Sequence, residues 1–170
     1  HHMRLLSQLD GVKFVGVHDP ALSGQESVNG NQVFGDLTGL IDAGLDYCVV
    51  AAPTAYHLDL GLALAAAGIH CLIEKPVANH TEATQLVDAF DRAGLVGGVG
   101  HIERFNPALQ AMRRKIEEGL LGEIYQISTR RQGPFPARIA DVGVVKDLAT
   151  QDIDLTAWVA QSPYRDVSAR

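Results

Sequence analysis

The sequence lacks the residues that build disulfide scaffolds and metal clusters. It has two cysteines, Cys48 and Cys71, and both stand inside apolar runs, without His or carboxylate neighbours at metal-ligand spacing. Thiols of this kind are typical of a reducing compartment, so we expect buried unpaired cysteines and no bound metal. No apolar stretch approaches the about 20 residues that span a bilayer, and no secretory signal pattern is visible. These observations predict a cytoplasmic protein without a membrane partner.

Positive charge is also scarce. The chain has 14 Lys and Arg against 20 Asp and Glu, and its formal net charge is −6. Domains that bind nucleic acid usually carry a basic excess or a basic stripe, so this charge balance argues against that class. A local exception is the cluster Arg130, Arg131 and Arg138, which is too small for a polyanion groove. It is large enough to hold one phosphorylated small molecule.

Short apolar runs and amphipathic segments alternate along the first hundred residues. The runs 13–20, 46–53, 70–76 and 95–101 are bounded by Gly and Pro, which is typical of strands buried on both faces of a parallel sheet. Helices are predicted at 57–67 and at 81–93, the second with Thr81 as its N-cap and Gly94 after its end. Strands that alternate with helices predict the α/β class, with a doubly wound parallel (Rossmann) sheet.

The pattern changes after residue 100. Residues 107–118 predict a charged helix, 123–132 a strand with one solvent-facing side, and 145–159 a helix around Trp158. The last residues, 164–170, resemble the start of another strand. We therefore expect a boundary within 101–106, between a Rossmann domain at 1–100 and the beginning of an α+β substrate and oligomerisation domain at 101–170.

The sequence contains no glycine-rich phosphate loop. Asp19 ends the first apolar run, where dinucleotide-binding folds place an acidic residue that accepts hydrogen bonds from ribose hydroxyls and repels a 2′-phosphate. That position favours NAD over NADP, although Asp19-Pro20 also fits a simple turn. A G-x-G-x-x-G loop normally precedes such an Asp by about 20 residues, and residues 1–12 read instead as the inside of a helix.

The sheet is therefore expected to lack its first strand. Without that strand, backbone edges and apolar side chains would be exposed, so we expect residues 1–170 alone to be poorly stable. A longer chain or a partner would supply the missing strand.

The strongest motif is Glu74-Lys75-Pro76, in the setting AGIHCLIEKPVANHTEA. With the preceding PTAYHLDLGLALAAAG and with HIERFNPA at 101–108, it resembles the Gfo/Idh/MocA family of oxidoreductases over nearly the whole chain. The resemblance implies NAD as cofactor, a homo-oligomer and a cis bond before Pro76. It also makes His1 and His2 candidates for the family's first helix, against the alternative of tag residues.

Lys75 is the principal catalytic candidate. At the carboxyl end of a parallel strand, its ammonium would point into the crevice where ligands bind and could share the proton of a reacting hydroxyl. The alternative is a surface lysine in a turn. The resemblance adds a D-x-x-x-H-x-x-D segment, which reads DLATQDID here. Asp147 matches, Gln151 stands where the His belongs, and Asp154 fits a structural role. Because Gln cannot accept a proton, Lys75 would carry the transfer alone, or the protein is slow or inactive.

The resemblance implies further contacts in both halves of the chain. The cofactor-binding candidates are Asp19, Pro53, Thr54, His57, Glu74, Lys75 and Arg104, and the substrate-binding candidates are Asn106, Arg131 and Arg138. His57 is equally suited to starting a helix, and Arg104 and Asn106 to a structural hinge. The two arginines could clamp a diphosphate, or belong to an ordinary charged loop.

The segment RRQGPFPARIADVG narrows the expected substrate. It resembles family members that act on nucleotide sugars of the UDP-N-acetylglucosamine type, so we expect oxidation of a secondary sugar hydroxyl. The alternatives are an inositol or free-sugar dehydrogenase of the same family, or a non-catalytic fragment that binds a ligand without chemistry.

Overall fold

The computed structural model describes residues 1–132, 143 and 145–168, apart from the side chain of Asp147. The helices are α1 (His2–Leu6), α2 (Leu37–Asp42), α3 (His57–Ala66), α4 (His80–Ala93), α5 (Pro107–Glu117) and α6 (Thr150–Ala160). The strands are β1 (Ser27–Val28), β2 (Asn31–Gln32), β3 (Tyr47–Val50), β4 (His70–Ile73) and β5 (Gly97–Val99). Short 3₁₀ turns cover Pro20–Leu22, Thr54–Tyr56 and Ile102–Phe105, and a π-helical turn covers Val145–Ala149.

A parallel sheet in the order β3-β4-β5 forms the centre of the fold. Cys48 pairs with Cys71 across β3 and β4, and Ile73 pairs with Val99 across β4 and β5. Helix α3 connects the first two strands, α4 connects the next two, and the two helices pack against each other. The predicted α/β class of Rossmann type is therefore confirmed.

The core lies between this sheet and the two crossover helices. Leu64 of α3 is 1% exposed, and it shares a cluster with Ile73 of β4 and with Leu86 and Phe90 of α4. Both thiols are free, as expected. Burial raises the pKa of the Cys71 thiol to about 12, with a further contribution from neighbouring Cys48. Such thiols carry little thiolate near neutral pH, so their role is to fill the core.

Helix ends follow the expected capping rules with one correction. The predicted N-cap of α4, Thr81, is wrong. Asn79 caps the helix instead, because its Oδ1 accepts from Glu82 N at 3.0 Å while Glu82 Oε2 accepts from Asn79 N at 3.1 Å. Gly94 ends the helix with a φ of 64°, a conformation that glycine adopts without strain.

Three predicted strands are absent from the described residues. Segment 13–20 is extended but forms only an isolated bridge between Val17 and Val33. Segments 123–132 and 164–168 form no strand either, and they are exposed. A strand requires a partner for its backbone groups, and the described chain offers little or none to these segments. The apolar or alternating residue pattern of these segments was therefore not sufficient to predict a strand.

The β1–β2 hairpin was not predicted, although the sequence carries its signal. Asn29 and Gly30 both have positive φ, at 49° and 76°, which the tight primed turns of hairpins require. Helix α2 was also missed. It is only six residues long, and Asp36 caps it by accepting from Gly39 N at 2.7 Å.

The later part of the chain is organised by two helices in contact. The Arg113 guanidinium of α5 lies over the Trp158 ring of α6, 4.5 Å from its centroid, and donates to Trp158 O at 2.7 Å. The helices agree with the predicted 107–118 and 145–159, apart from the π-helical start of the second. None of the helices in the described ranges combines the length and apolar character needed to cross a membrane.

Two helical glycines give opposite predictions for stability. A Cβ at Gly61 in α3 would lie 2.5 Å from Leu86 Cδ2 and 3.0 Å from Ile73 Cδ1, whereas one at Gly39 in α2 would make ordinary contacts from 3.4 Å. Overpacking costs about 1–3 kcal/mol and the helix gain of Gly→Ala is about 1 kcal/mol, so Gly61→Ala should lower the free energy of unfolding.

Gly39→Ala is the matched control and should raise that free energy by up to about 1 kcal/mol. Urea denaturation of the whole protein measures both effects. A stabilised Gly61→Ala variant would show that the α3–α4 contact is looser than described.

Candidate active site at the carboxyl ends of the strands

The Glu74-Lys75-Pro76 turn begins where the middle strand, β4, ends. Glu74 N donates to Val50 O on one side, and on the other Gly100 N donates to Ile73 O, both at 2.9 Å. The turn is therefore anchored between the two neighbouring strands. The Lys75–Pro76 peptide bond is cis, as the resemblance implied. Lys75 is half-buried at the edge of the sheet where Rossmann-type folds bind their ligands.

The Glu74 carboxylate is held by three parts of the chain. Its Oε1 lies 2.6 Å from His2 Nε2 of α1, and its Oε2 accepts from Lys75 N at 3.2 Å. A Cβ at position 100 would lie 2.7 Å from Oε2, so only glycine there leaves room for this carboxylate. These contacts give Glu74 a positioning role. The part played by His2 was missed, because nothing local in the sequence links residues 72 positions apart.

His57 braces the same turn from inside the protein. Its ring is 1% exposed, with Nδ1 3.0 Å from Pro76 O and 3.1 Å from Val77 O, and Nε2 2.8 Å from Ala52 O. The ring is enclosed by the protein, and the predicted contact of His57 with a cofactor stays a prediction. The residue ties the loop after β3 to the turn after β4.

A second group of polar side chains surrounds Asp154 of α6. Arg104 donates to both carboxylate oxygens, from Nε at 2.8 Å and from a terminal nitrogen, and His101 Nδ1 lies 3.5 Å from Oδ2. This hydrogen bond raises the pKa of the Arg104 guanidinium further above its ordinary value. Asp154 therefore has the structural role that the sequence suggested. A cofactor contact of Arg104 stays a prediction.

Gln151 lies on the first turn of α6, three residues before Asp154, so the two share a helix face. Asp147 belongs to the preceding π-helical turn, and its side chain lies outside the described part of the structure. Whether Asp147 and Gln151 meet Lys75 stays a prediction.

The predicted substrate contacts have structural partners of their own. Asn106 caps α5 by accepting from Ala108 N at 3.0 Å. Arg131 donates to both oxygens of Asp152, at 3.1 and 3.2 Å, and lies 3.8 Å from Glu103. An incoming diphosphate would have to compete with these carboxylates, and a phosphate contact of Arg131 stays a prediction. Arg138 lies outside the described residues.

Three of the predicted cofactor contacts, Asp19, Pro53 and Thr54, are exposed or partly exposed. Asp19 is exposed, and its Oδ1 accepts from Ala21 N at 2.9 Å, which also confirms that Asp19-Pro20 starts a turn. Pro53 and Thr54 begin a 3₁₀ turn just after β3. Contacts of Asp19, Pro53 and Thr54 with a cofactor stay predictions, and no glycine loop that could cradle a pyrophosphate is present in the sequence. The described side chains form no group of three potential metal ligands.

Comparison with known proteins agrees with this geometry. Residues 1–101 match the model of the oxidoreductase family with an NAD-binding Rossmann fold, GFO_IDH_MocA. The chain belongs to the Gfo/Idh/MocA family of oxidoreductases. The matched part is by that description an NAD-binding fold, which supports NAD as the cofactor.

Individual relatives fall into two substrate groups. A UDP-N-acetylglucosamine 3-dehydrogenase of Acidithiobacillus ferrooxidans is 34% identical over 75% of this chain and 40% of its own length. Inositol 2-dehydrogenase 2 of Saccharopolyspora erythraea is 30% identical over 94% of this chain and 49% of its own. This member of the family thus spans less than half the length of either relative.

A solved structure has the same fold. The WlbA dehydrogenase of Bordetella pertussis, crystallised with NADH and UDP-GlcNAcA, superposes with a TM-score of 0.78 at 28% identity. The match covers 95% of this chain and 51% of that one.

The brace at His57 predicts a large loss of stability on truncation. His57→Ala would leave the carbonyls of Ala52, Pro76 and Val77 without a donor, and each buried unsatisfied group costs about 1–3 kcal/mol, so we expect a loss of about 3 kcal/mol. Thermal or urea unfolding of the whole protein measures it.

The matched control is His70→Ala. His70 is exposed and its Nδ1 accepts a single bond, from Val96 N at 2.9 Å, so its truncation should cost less than about 1 kcal/mol. Equal losses for the two variants would contradict the bracing role.

Proposed function

We propose that the chain is part of an NAD-dependent dehydrogenase that oxidises a secondary CH–OH group of a sugar. The observation that carries the proposal is the position of Lys75, directly after the middle strand of the parallel sheet and anchored there through Glu74. Ligands of open α/β sheets bind outside the carboxyl ends of the strands. A lysine at this point is within the region where a bound substrate and a nicotinamide ring would meet.

Lys75 would bind the oxygen that reacts. Its ammonium donates a hydrogen bond to the substrate hydroxyl and stabilises the negative charge that develops on the oxygen as the proton leaves. NAD, when bound, supplies the acceptor for the hydride from the same carbon. Asp147 and Gln151 would orient the hydroxyl from the opposite side, since their spacing of four residues suits one helix face.

The substrate class is proposed from similarity. The relatives that are named for UDP-N-acetylglucosamine and crystallised with UDP-GlcNAcA favour a nucleotide sugar. The relative named for inositol favours a free polyol as the second candidate. The internal pairing of Arg131 with Asp152 favours the second, because it occupies a guanidinium that a diphosphate would need. We also propose a cytoplasmic homo-oligomer and a domain boundary within 101–106.

The role of Lys75 predicts a selective loss of turnover. In the whole protein, Lys75→Ala should abolish sugar-dependent NADH formation, a fall of at least about 100-fold for the loss of one positioned catalytic group. The NAD dissociation constant, measured by calorimetry, should stay within about twofold because the ammonium acts on the substrate oxygen.

Lys13→Ala is the control, since Lys13 is exposed and lies in the extended segment before Asp19. It should leave turnover unchanged. Full activity of Lys75→Ala would refute the assignment. The same assay, run with nucleotide sugars, inositols and free hexoses, separates the two substrate classes.

A further inference from the structure

The residue at position 151 leaves a chemical role unfilled. By its resemblance to the segment D-x-x-x-H-x-x-D, the chain is expected to have a histidine at position 151, where it has Gln151, and an amide cannot accept the proton of a hydroxyl. Asp154 follows one helical turn later on the same face of α6, and its carboxylate lies 3.5 Å from Nδ1 of another histidine, His101. A different imidazole is therefore in contact with the same helix face.

His101 leaves the sheet beside Lys75. Ile73 and Val99 are register partners, and the bond from Gly100 N to Ile73 O carries the pairing one residue further. Lys75 and His101 each come two residues after that register pair, on adjacent parallel strands. Both residues therefore lie just beyond the carboxyl ends of their strands, on the same side of the sheet. The His101 side chain is 28% exposed, so it is held by the protein but still accessible.

We propose that His101 is the proton acceptor of the reaction, in place of the histidine that position 151 lacks. The proposal rests on the proposed dehydrogenase function. Asp154 is its positioning residue, since a carboxylate beside Nδ1 favours the tautomer with the hydrogen on Nδ1 and the lone pair on Nε2. Arg104 fixes the carboxylate through two hydrogen bonds. A separation of 3.5 Å is loose, and such contacts tighten when substrate binds.

The proposed reaction accounts for both the proton and the electron pair that leave the substrate. The hydroxyl proton would move to Nε2 of His101, and the hydrogen on the carbinol carbon would leave as hydride, with the electron pair of its C–H bond, to a bound NAD. The products are a ketone, the reduced cofactor and an imidazolium that releases its proton to water. The charged group in contact with His101 is Asp154 from α6, which is itself bound by Arg104 from the 3₁₀ turn, and Lys75 occupies the equivalent register position at the end of β4. Lys75 keeps its hydrogen bond to the oxygen throughout.

Two substitutions in the whole protein test the proposal by kinetics. His101→Asn keeps an amide donor near Asp154 and removes Nε2, so the fold should persist while kcat falls by about 100-fold or more, the range for a lost general base. KM should change less than about threefold, and the pH profile of kcat/KM should lose the limb that deprotonation of the base produces. Adding Gln151→His to this variant should restore turnover, because it supplies an imidazole on the same helix face.

A matched control and a second readout separate the outcomes. His80→Gln changes an exposed histidine at the start of α4 and should leave rates and pH profile unchanged. Independently of activity, ¹⁵N NMR of the His101 ring should show hydrogen on Nδ1, and Asp154→Asn should shift the tautomer population toward Nε2–H.

The possible results distinguish the role of His101 from the proposed dehydrogenase function. If the wild-type protein is active and His101→Asn has the same rate and pH profile, His101 is not the proton acceptor. The proposed dehydrogenase function is unaffected by that result. A ring that carries hydrogen on Nε2 in the wild type also overturns the role of His101. Absence of turnover in both the wild type and Gln151→His, across the sugar panel, contradicts the proposed function itself.

Discussion

The backbone bonds on either side of Glu74 are the contacts on which the candidate site depends. They tie the end of the middle strand to Val50 and to the start of the next connection at Gly100. Since peptide groups buried at a strand end must find partners, the turn that follows has little freedom to move. His57 contacts the backbone of that turn at Pro76, and His2 contacts its Glu74 side chain. Catalytic groups need such support, because a small misplacement of a reacting group costs much of its effect.

Local sequence patterns predicted the parallel sheet and its crossover helices well. Runs of apolar residues between glycines and helical segments predicted β3, β4 and β5, and Gly94 predicted the end of α4. The failures concern contacts between distant residues. Segments 13–20 and 123–132 have strand-like patterns. A strand forms only where another strand supplies hydrogen bonds to its backbone, and the residue pattern within one segment does not reveal whether such a partner exists. The missed pair of His2 and Glu74 has the same cause.

The arginines illustrate how sequence analysis can miss the intramolecular partners of a candidate ligand site. Arg104 and Arg131 were assigned to ligands because of their neighbours in the motif and their clustering. In the folded chain each meets a carboxylate of α6, Asp154 or Asp152. These acidic residues were visible in the sequence, yet only the docking of α6 reveals their partners. A guanidinium already held by two oxygens has fewer donors left, so its charge counts less toward an incoming anion.

The close approach of Gly100 to the Glu74 carboxylate has a consequence for how this protein can change over time. A side chain at position 100 would meet Oε2 at 2.7 Å, so the two sites are sterically linked across adjacent strands. Position 100 cannot accept a bulkier residue while the Glu74 carboxylate keeps this place, whereas a smaller residue at position 74 creates no clash with Gly100. Variation at positions 74 and 100 should therefore be correlated among homologues. A homologue without Glu74 could carry a residue other than glycine at position 100.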